Sequence, residues 1–199
     1  MKKRTGIIGI LIAVLVLGIG YAAIANVSLK VNGTGTITMN SPNTGTNITL
    51  RNTAGNLTVS GVTIRNTGTT GYTYAITNSG TGTVTVNSGT INCTNYVALH
   101  NASSGRLNIN GGTITTKGSH ANGVFAYSNG KINITDTNIK TSSNNSGAIM
   151  VTGGGTLTAN NVTAETDGNS SAPIRSDRGG GTLTVNEGIY TSHGTGSPV

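Results

Sequence analysis

Short apolar-polar-apolar triplets recur along this chain at a nearly constant interval from residue 57 onward. The six triplets are Leu57-Thr58-Val59, Val84-Thr85-Val86, Leu107-Asn108-Ile109, Ile132-Asn133-Ile134, Leu157-Thr158-Ala159 and Leu183-Thr184-Val185. Subtracting consecutive first positions gives intervals of 27, 23, 25, 25 and 26 residues. A self-similar period of this length is typical of solenoid proteins, in which each repeat is one structural unit.

Each repeat contains two further apolar positions. The first stands five residues after the triplet and is occupied by Ile64, Ile91, Ile114, Ile139, Ala164 and Tyr190. The second is a short apolar segment, namely Tyr74-Ala75-Ile76, Val97-Ala98-Leu99, Val124-Phe125-Ala126, Ala148-Ile149-Met150-Val151 and Ala172-Pro173-Ile174. Three short strands per repeat, separated by glycine-bearing turns, predict an all-β fold. We expect a single-stranded right-handed parallel β-helix, or solenoid, of about six coils over residues 55–199.

Two other structures are compatible with parts of this pattern. A disordered tail rich in glycine, serine and threonine has a similar composition, but such tails do not keep three apolar clusters in phase through six repeats. A β-sandwich or barrel also has evenly spaced short strands, but it is expected to show hairpin turns between successive strands. The pattern repeats by coil, which favours the solenoid.

The N-terminal segment has the features of an export signal. Lys2, Lys3 and Arg4 precede an apolar stretch over residues 6–25, which ends in Ala23-Ile24-Ala25. Small residues in this spacing are typical of a signal-peptidase site, and the stretch is also long enough to cross a bilayer. Residues 1–25 are therefore predicted to be a signal peptide or a membrane anchor. The remainder is expected to be extracellular or on the cell surface, with membrane contact only through residues 6–25.

The two ends of the repeat region fit the period less well. Residues 26–54 contain two strand candidates, Ile37-Thr38-Met39 and Ile48-Thr49-Leu50, and are predicted to form an N-terminal cap or irregular first coil. The last segment, residues 192–199, follows residues 166–174 with one deletion and stops within a predicted strand. We therefore expect a solenoid truncated at its C-terminus, with edge-to-edge self-association as a further possibility.

The composition narrows the range of functions. The net charge is +7, but three basic residues belong to the export segment and the other nine are scattered without interleaved aromatic residues. This distribution argues against a nucleic-acid partner. Cys93 is the single cysteine, so no disulfide and no cysteine-based metal site is expected, and its predicted role is packing.

The repeats resemble a known architecture. Phased coils with segments such as Gly181–Asn186 and Asn110–Ile114 are similar to the pectin-lyase-like right-handed β-helix superfold, and most of all to repetitive bacterial cell-surface adhesins. The resemblance implies the fold over about residues 55–199. It says little about function, because this superfold includes polysaccharide lyases, hydrolases, phage tailspikes and non-catalytic adhesins.

Candidate catalytic residues are scarce, since the chain has only five acidic residues. Asp136 and Glu187 share one turn column two coils apart, about 10 Å, near the upper limit for an inverting pair. No aromatic sugar platform is evident beside them, so we interpret both carboxylates as exposed turn residues.

Asp167 and Asp177 bracket the third strand of one coil and lie near Arg175 and Arg178 in the sequence. We interpret these four residues as a solvated charge cluster, and a lyase-like site is the less favoured alternative.

The other polar residues with catalytic or metal-binding potential form no predicted site. Glu165 aligns with Lys140 one coil earlier, which predicts a surface ion pair. His100, His120 and His193 occupy different positions in their coils, so they are not expected to share a metal ion. No catalytic residue, metal site or cofactor is predicted.

Two columns of outward polar residues are the predicted binding surface. One contains Thr58, Thr85, Asn108, Asn133, Thr158 and Thr184, and the other contains Ser60, Asn87, Asn110, Thr135, Asn160 and Asn186. We call these twelve residues the Thr/Asn face. Its hydroxyls and amides can donate and accept hydrogen bonds at a fixed spacing, which suits a repeating glycan. Soluble, β-compatible surface residues without a ligand are the alternative interpretation.

These observations predict an exported, non-catalytic, adhesin-like β-helix that presents the Thr/Asn face to polysaccharides or host-surface glycans. The enzyme alternative is a fragment of a polysaccharide lyase or hydrolase whose acidic site lies in further coils. A third alternative is an ice-binding solenoid, because paired threonine columns are typical of that class, although asparagine is frequent here.

Overall fold

The computed structural model describes residues 28–39 and 45–198, which form a parallel β-solenoid. No residue in these two ranges is helical, so this part of the chain contains no helix that could cross a membrane. The predicted signal peptide or anchor over residues 1–25 lies outside the described residues.

Each coil contributes three strands. The first strands are β1 (Ser28–Asn32), β4 (Asn56–Ser60), β7 (Thr83–Asn87), β10 (Arg106–Asn110), β13 (Lys131–Thr135) and the start of β16 (Gly155–Thr166). The second strands are β2 (Thr36–Met39), β5 (Thr63–Asn66), β8 (Thr90–Cys93), β11 (Thr113–Thr116), β14 (Asn138–Thr141) and the end of β16. The third strands are β3 (Thr46–Asn52), β6 (Tyr72–Asn78), β9 (Val97–Asn101), β12 (Asn122–Tyr127), β15 (Gly147–Thr152) and β17 (Ala172–Ser176).

The strands assemble into two parallel sheets. The first and second strands form a 12-stranded sheet, in which β18 (Gly181–Ser192) pairs with β16 and begins a further coil. The third strands form a six-stranded sheet in the order β17-β15-β12-β9-β6-β3. The predicted parallel solenoid of about six coils is therefore confirmed.

The core consists of the predicted apolar columns, stacked from coil to coil. Leu57 pairs with Val84 and then Leu107, and Ile64 pairs with Ile91 and then Ile114. These six side chains are at most 5% exposed. Each buried aliphatic side chain contributes about 1.5–3 kcal/mol, so a register slip that turned a column outward would be strongly disfavoured. Cys93 packs in the same core, as predicted.

The segment before Gly55 follows the same plan. Strands β2 and β3 contain the two predicted strand candidates, and β1, β2 and β3 pair in parallel with β4, β5 and β6. The described part of residues 26–54 is thus a coil in register with the next one. Its role as a cap remains a prediction.

The corner between the first and second strands has a residue in the left-handed conformation at the equivalent position of each of six coils. These residues are Gly61, Ser88, Gly111, Asp136, Asn161 and Glu187, with φ between 49° and 75°. Glycine adopts this left-handed conformation readily, and asparagine and aspartate tolerate it better than most other residues. The corner column is therefore specified by backbone geometry.

Candidate functional site

The register aligns the Thr/Asn face in the two predicted columns. Thr58, Thr85 and Asn108 are direct cross-coil neighbours, and the column continues to Thr184 without interruption. Side-chain amides also bond along the solenoid, because Asn110 Nδ2 donates to Asn87 Oδ1 at 2.9 Å and Asn133 Nδ2 donates to Asn108 Oδ1 at 3.1 Å. Part of the hydrogen-bonding capacity of this face is thus used within the protein. Whether the face binds a ligand remains a prediction.

A second outer surface, on the six-stranded sheet, carries most of the aromatic residues. The protein has seven aromatic residues, counting six tyrosines and one phenylalanine, and five of them lie here. We call this surface the aromatic face. It consists of Tyr72, Tyr74, Tyr96, His100, Phe125, Tyr127 and Met150.

The rings of the aromatic face contact one another in an unbroken series. Tyr72 and Tyr74 both meet Tyr96 edge to face, at centroid distances of 5.1 and 5.5 Å. Tyr74 stacks on His100 at 4.9 Å, and His100 in turn lies 5.4 Å from Phe125. Phe125 and Tyr127 are 6.1 Å apart. These are favourable distances for aromatic pairs, so the series is a preformed platform.

The platform has a buried base and two exposed rings. Phe125 is 9% exposed and Met150 is 7% exposed, and both pack with Val97 in a small apolar cluster outside the main core. Tyr72 and Tyr127 are 58% and 47% exposed, respectively. Solvent therefore reaches one tyrosine at each end of the ring series.

Burial changes the titration of several groups on this face. Desolvation lowers the pKa of His100 to about 4, so its imidazole is neutral near pH 7. Its Nδ1 is 3.2 Å from the hydroxyl of Thr77. Desolvation, followed by the neighbouring Tyr96, raises the pKa of Tyr74 to about 12. The face is thus uncharged at neutral pH across its centre.

A groove of about 600 Å³ adjoins the aromatic face at its Tyr127 end. Tyr96, Phe125, Tyr127 and Met150 provide its apolar lining. Its polar lining consists of His120 and Asn122 from the coil of Phe125, and of Asn145, Thr152, Gly153, Arg175, Asp177 and Arg178 from the next two coils. The groove therefore joins an aromatic wall to a charged one.

The predicted concentration of four charges around β17 is only partly present. Arg175 Nη2 and Asp177 Oδ2 are 2.9 Å apart, and the peptide N–H of Arg178 donates to Asp177 Oδ1 at 2.8 Å. The hydrogen bond from that peptide N–H, together with the charge of Arg175, holds the pKa of Asp177 below its ordinary value. Asp167 instead pairs with Lys140 at 3.3 Å, because it directly follows the second strand of its coil, whereas Asp177 directly follows the third.

The predicted ion pair between Glu165 and Lys140 is present at 2.9 Å. The structure also brings His193 Nε2 to 3.0 Å from Glu165, so Glu165, Asp167 and His193 form a cluster that was not predicted. Lys140 contacts both carboxylates and offsets part of their negative charge, and it is the main reason why the pKa of Glu165 is lowered. This arrangement explains the cluster as a surface ion-pair network.

Asp136 and Glu187 lie in the left-handed corner column described above. Both are exposed, and Asn161 between them donates to Asp136 Oδ1 at 2.7 Å. The backbone conformation of the turn accounts for their positions, which favours the interpretation that these carboxylates are exposed turn residues and not a catalytic pair.

Sequence reasoning missed the aromatic face because its residues are spread over several strands and loops from Tyr72 to Met150. The signal was present in the spacing. His100, Phe125, Met150 and Arg175 succeed one another every 25 residues and are cross-coil neighbours. Aligning outward positions of the third strand, as was done for the first, reveals the column.

No family model, curated protein or solved structure matches this chain.

Proposed function

We propose that this protein is an exported, non-catalytic β-solenoid that binds glycans, with an adhesin-like role at the cell surface. The observation that supports this function best is the aromatic face. Its rings run continuously from Tyr72 to Tyr127 on one outer surface, next to a groove lined by polar side chains. Sugar rings have apolar C–H faces and polar hydroxyl edges, and this combination of surfaces is complementary to both.

The size of the surface suits an oligosaccharide. The aromatic face and groove extend from β6 to β17 through β9, β12 and β15. Four intervals between neighbouring strands span about 19 Å. A rigid sheet that holds ring platforms at a fixed spacing is preorganised for an extended ligand, which limits the ordering cost of binding.

The positions of the acidic residues support a non-catalytic role. Two of the five carboxylates occupy exposed corner positions, two lie against Lys140, and Asp177 lies against Arg175. An inverting glycosidase needs two free carboxyl groups about 6.5–9.5 Å apart. A lyase or hydrolase in the pectin-lyase-like superfold remains the alternative function.

Two finer features belong to the same proposal. The coils wind to the right, because crossovers between parallel strands are right-handed in about 98% of known cases. The basic and apolar residues of segment 1–25 direct export, which places the solenoid outside the cell.

Retention on immobilised polysaccharides tests the function. We expect the purified, folded protein to be retained by at least one member of a broad panel, and failure on every member would contradict glycan binding. Replacing Tyr72 and Tyr127 with alanine should abolish retention with little loss of stability, since both rings are about half exposed.

The matched control is a double alanine variant at Thr85 and Asn108, on the Thr/Asn face. We expect it to be retained like the unmodified protein. If the control loses binding and the tyrosine variant keeps it, the ligand binds to the Thr/Asn face, as the amino-acid pattern predicts.

A further inference from the structure

The groove beside Tyr127 has a charge pattern that goes beyond what stacking on sugar rings requires. Its apolar floor is formed by Phe125 and Met150, which belong to the aromatic face. Its charged side is formed by Arg175, Asp177 and Arg178 at the end of β17, where Arg175 is the cross-coil neighbour of Met150. Two arginines and one aspartate give this side a net charge of +1.

Arg175 is held rigidly and still has donors to offer. Its Nη1 donates to the carbonyl oxygen of Asn145 at 3.0 Å, and its Nη2 donates to Asp177 Oδ2 at 2.9 Å. A guanidinium has five N–H donors in a fixed fork, so about three remain for a ligand. The two bonds fix the orientation of the side chain, and its exposed fraction of 28% leaves it accessible from the groove.

Arg178 is the arginine of the groove whose guanidinium is not held by a fixed partner among the described residues. Its peptide N–H binds Asp177, but its guanidinium forms no hydrogen bond or ion pair with any residue in the described ranges. It is exposed and lines the groove. An anion entering the groove would therefore meet one oriented arginine and one unpaired arginine.

We propose that this groove binds an acidic sugar residue that carries a single carboxylate. The carboxylate lies between Arg175 and Arg178, while the apolar face of the sugar ring packs against Tyr127 and the floor. Charge-assisted hydrogen bonds from arginine to carboxylate are the strong and directional contacts of such a site. The inference deepens the proposed glycan-binding function and rests on it.

The same geometry disfavours densely sulfated glycans. Asp177 lies between the two arginines in sequence and keeps one of its carboxylate oxygens on Arg175. A second negative group on the ligand would meet this fixed carboxylate, because like charges in close proximity repel. The groove is thus specific for a sugar residue with one negative charge. A basic surface without an aspartate would instead favour the most highly charged polymer.

Binding to defined oligosaccharides tests this inference. The probes are 3′-sialyllactose, whose carboxylate is on a terminal residue, a hyaluronan hexasaccharide, whose carboxylates are on internal residues, and neutral lactose. We expect the protein to bind at least one acidic probe about tenfold more tightly than lactose, the factor that corresponds to one charge-assisted hydrogen bond. The two acidic arms show whether the groove takes a chain end or a chain interior.

Arg178→Gln should remove this preference, because it takes away the unpaired charge without disturbing the bond between Arg175 and Asp177. Arg106→Gln is the matched control, since Arg106 is also exposed but begins β10 on the other sheet. Arg175→Lys is a second variant, which keeps the positive charge and loses the forked geometry of the N–H donors. It should also weaken the binding of the acidic probes.

The outcomes separate this inference from the function on which it rests. If lactose binds as well as the acidic probes, and Tyr127→Ala abolishes that binding, the glycan-binding function stands and the inference is wrong. If Arg178→Gln and Arg106→Gln weaken the binding of the acidic probes equally, the preference for acidic probes over lactose is general attraction to a basic protein and the inference is wrong. If no probe and no polysaccharide binds, both proposals fail.

Discussion

The imidazole of His100 lies nearly flat on the ring of Tyr74, with 4.9 Å between ring centroids and 29° between ring planes. The two residues come from adjacent coils, and the other side of the imidazole meets Phe125. A charged imidazolium in this position would lose most of its hydration, which explains why its pKa is lowered to about 4. The centre of the aromatic face therefore depends on a neutral histidine.

The first prediction concerns pH. His100 in the unfolded chain takes up a proton near pH 6.5, whereas in the folded protein it does so only near pH 4. Between these values the unfolded state binds more protons, so stability falls as the pH drops from 6.5 to 4 and then levels off with respect to this group. Chemical denaturation at intervals of half a pH unit measures the change.

His100→Phe provides the control for this pH dependence, since an aromatic ring is kept and the titrating group is removed. We expect the unfolding free energy of the variant to depend much less on pH between 6.5 and 4 than that of the unmodified protein. His120→Phe, at an exposed position, should keep it. An unchanged slope in His100→Phe would show that other groups cause the acid sensitivity.

The second prediction concerns Asn78, which is fully buried at the corner between the third and first strands. Its Nδ2 donates to the carbonyl oxygens of Gly82 and Arg106, and its Oδ1 accepts from Asn52 Nδ2. Asn78→Leu leaves these buried groups without partners, which should cost about 2–3 kcal/mol of unfolding free energy. Equilibrium denaturation measures this loss.

The matched control is Asn110→Leu, because Asn110 also donates to a neighbouring asparagine but is exposed. Water can replace its partner, so the loss should stay below about 0.5 kcal/mol. Equal losses in the two variants would contradict the view that the buried asparagines hold the corner together.

The third prediction concerns the close approach of backbones at the same corner. A Cβ atom at Gly105 would collide with the carbonyl oxygens of Gly80 and Gly82 in the preceding turn. Gly105→Ala should therefore destabilise the protein by about 3 kcal/mol, through forced separation of adjacent coils. Gly35→Ala is the control, since a Cβ there meets nothing within 4 Å. A stable Gly105→Ala variant would mean that the coils can move apart at little cost.

Much of the fold could be predicted because apolar residues at inward positions repeat with every coil. The columns through Leu57 and Ile64 are visible in the amino-acid sequence as triplets with constant spacing, and their register is the register of the structure. Parallel pairing then follows, since residues one period apart must be neighbours. The ion pair between Lys140 and Glu165 was predictable for the same reason.

The candidate site was harder to predict because its residues do not repeat in kind. His100, Phe125, Met150 and Arg175 share one outward column but belong to four chemical classes. Tyr96 lies between strands, where the coil period does not specify the direction of a side chain. The division of Asp167 and Asp177 between two surfaces likewise depends on where β16 and β17 end, since each aspartate directly follows one of these strands.

The most direct test of glycan binding by the aromatic face is the NMR spectrum of the tyrosine rings during titration with the best-retained oligosaccharide. The absence of tryptophan and the presence of only six tyrosines make individual assignment by substitution practicable. We predict that the ring signals of Tyr72 and Tyr127 shift in a saturable way, while that of Tyr190, in the last described coil, does not. Saturable shifts confined to the amide signals of the Thr/Asn face, with all tyrosine rings unchanged, would contradict the account.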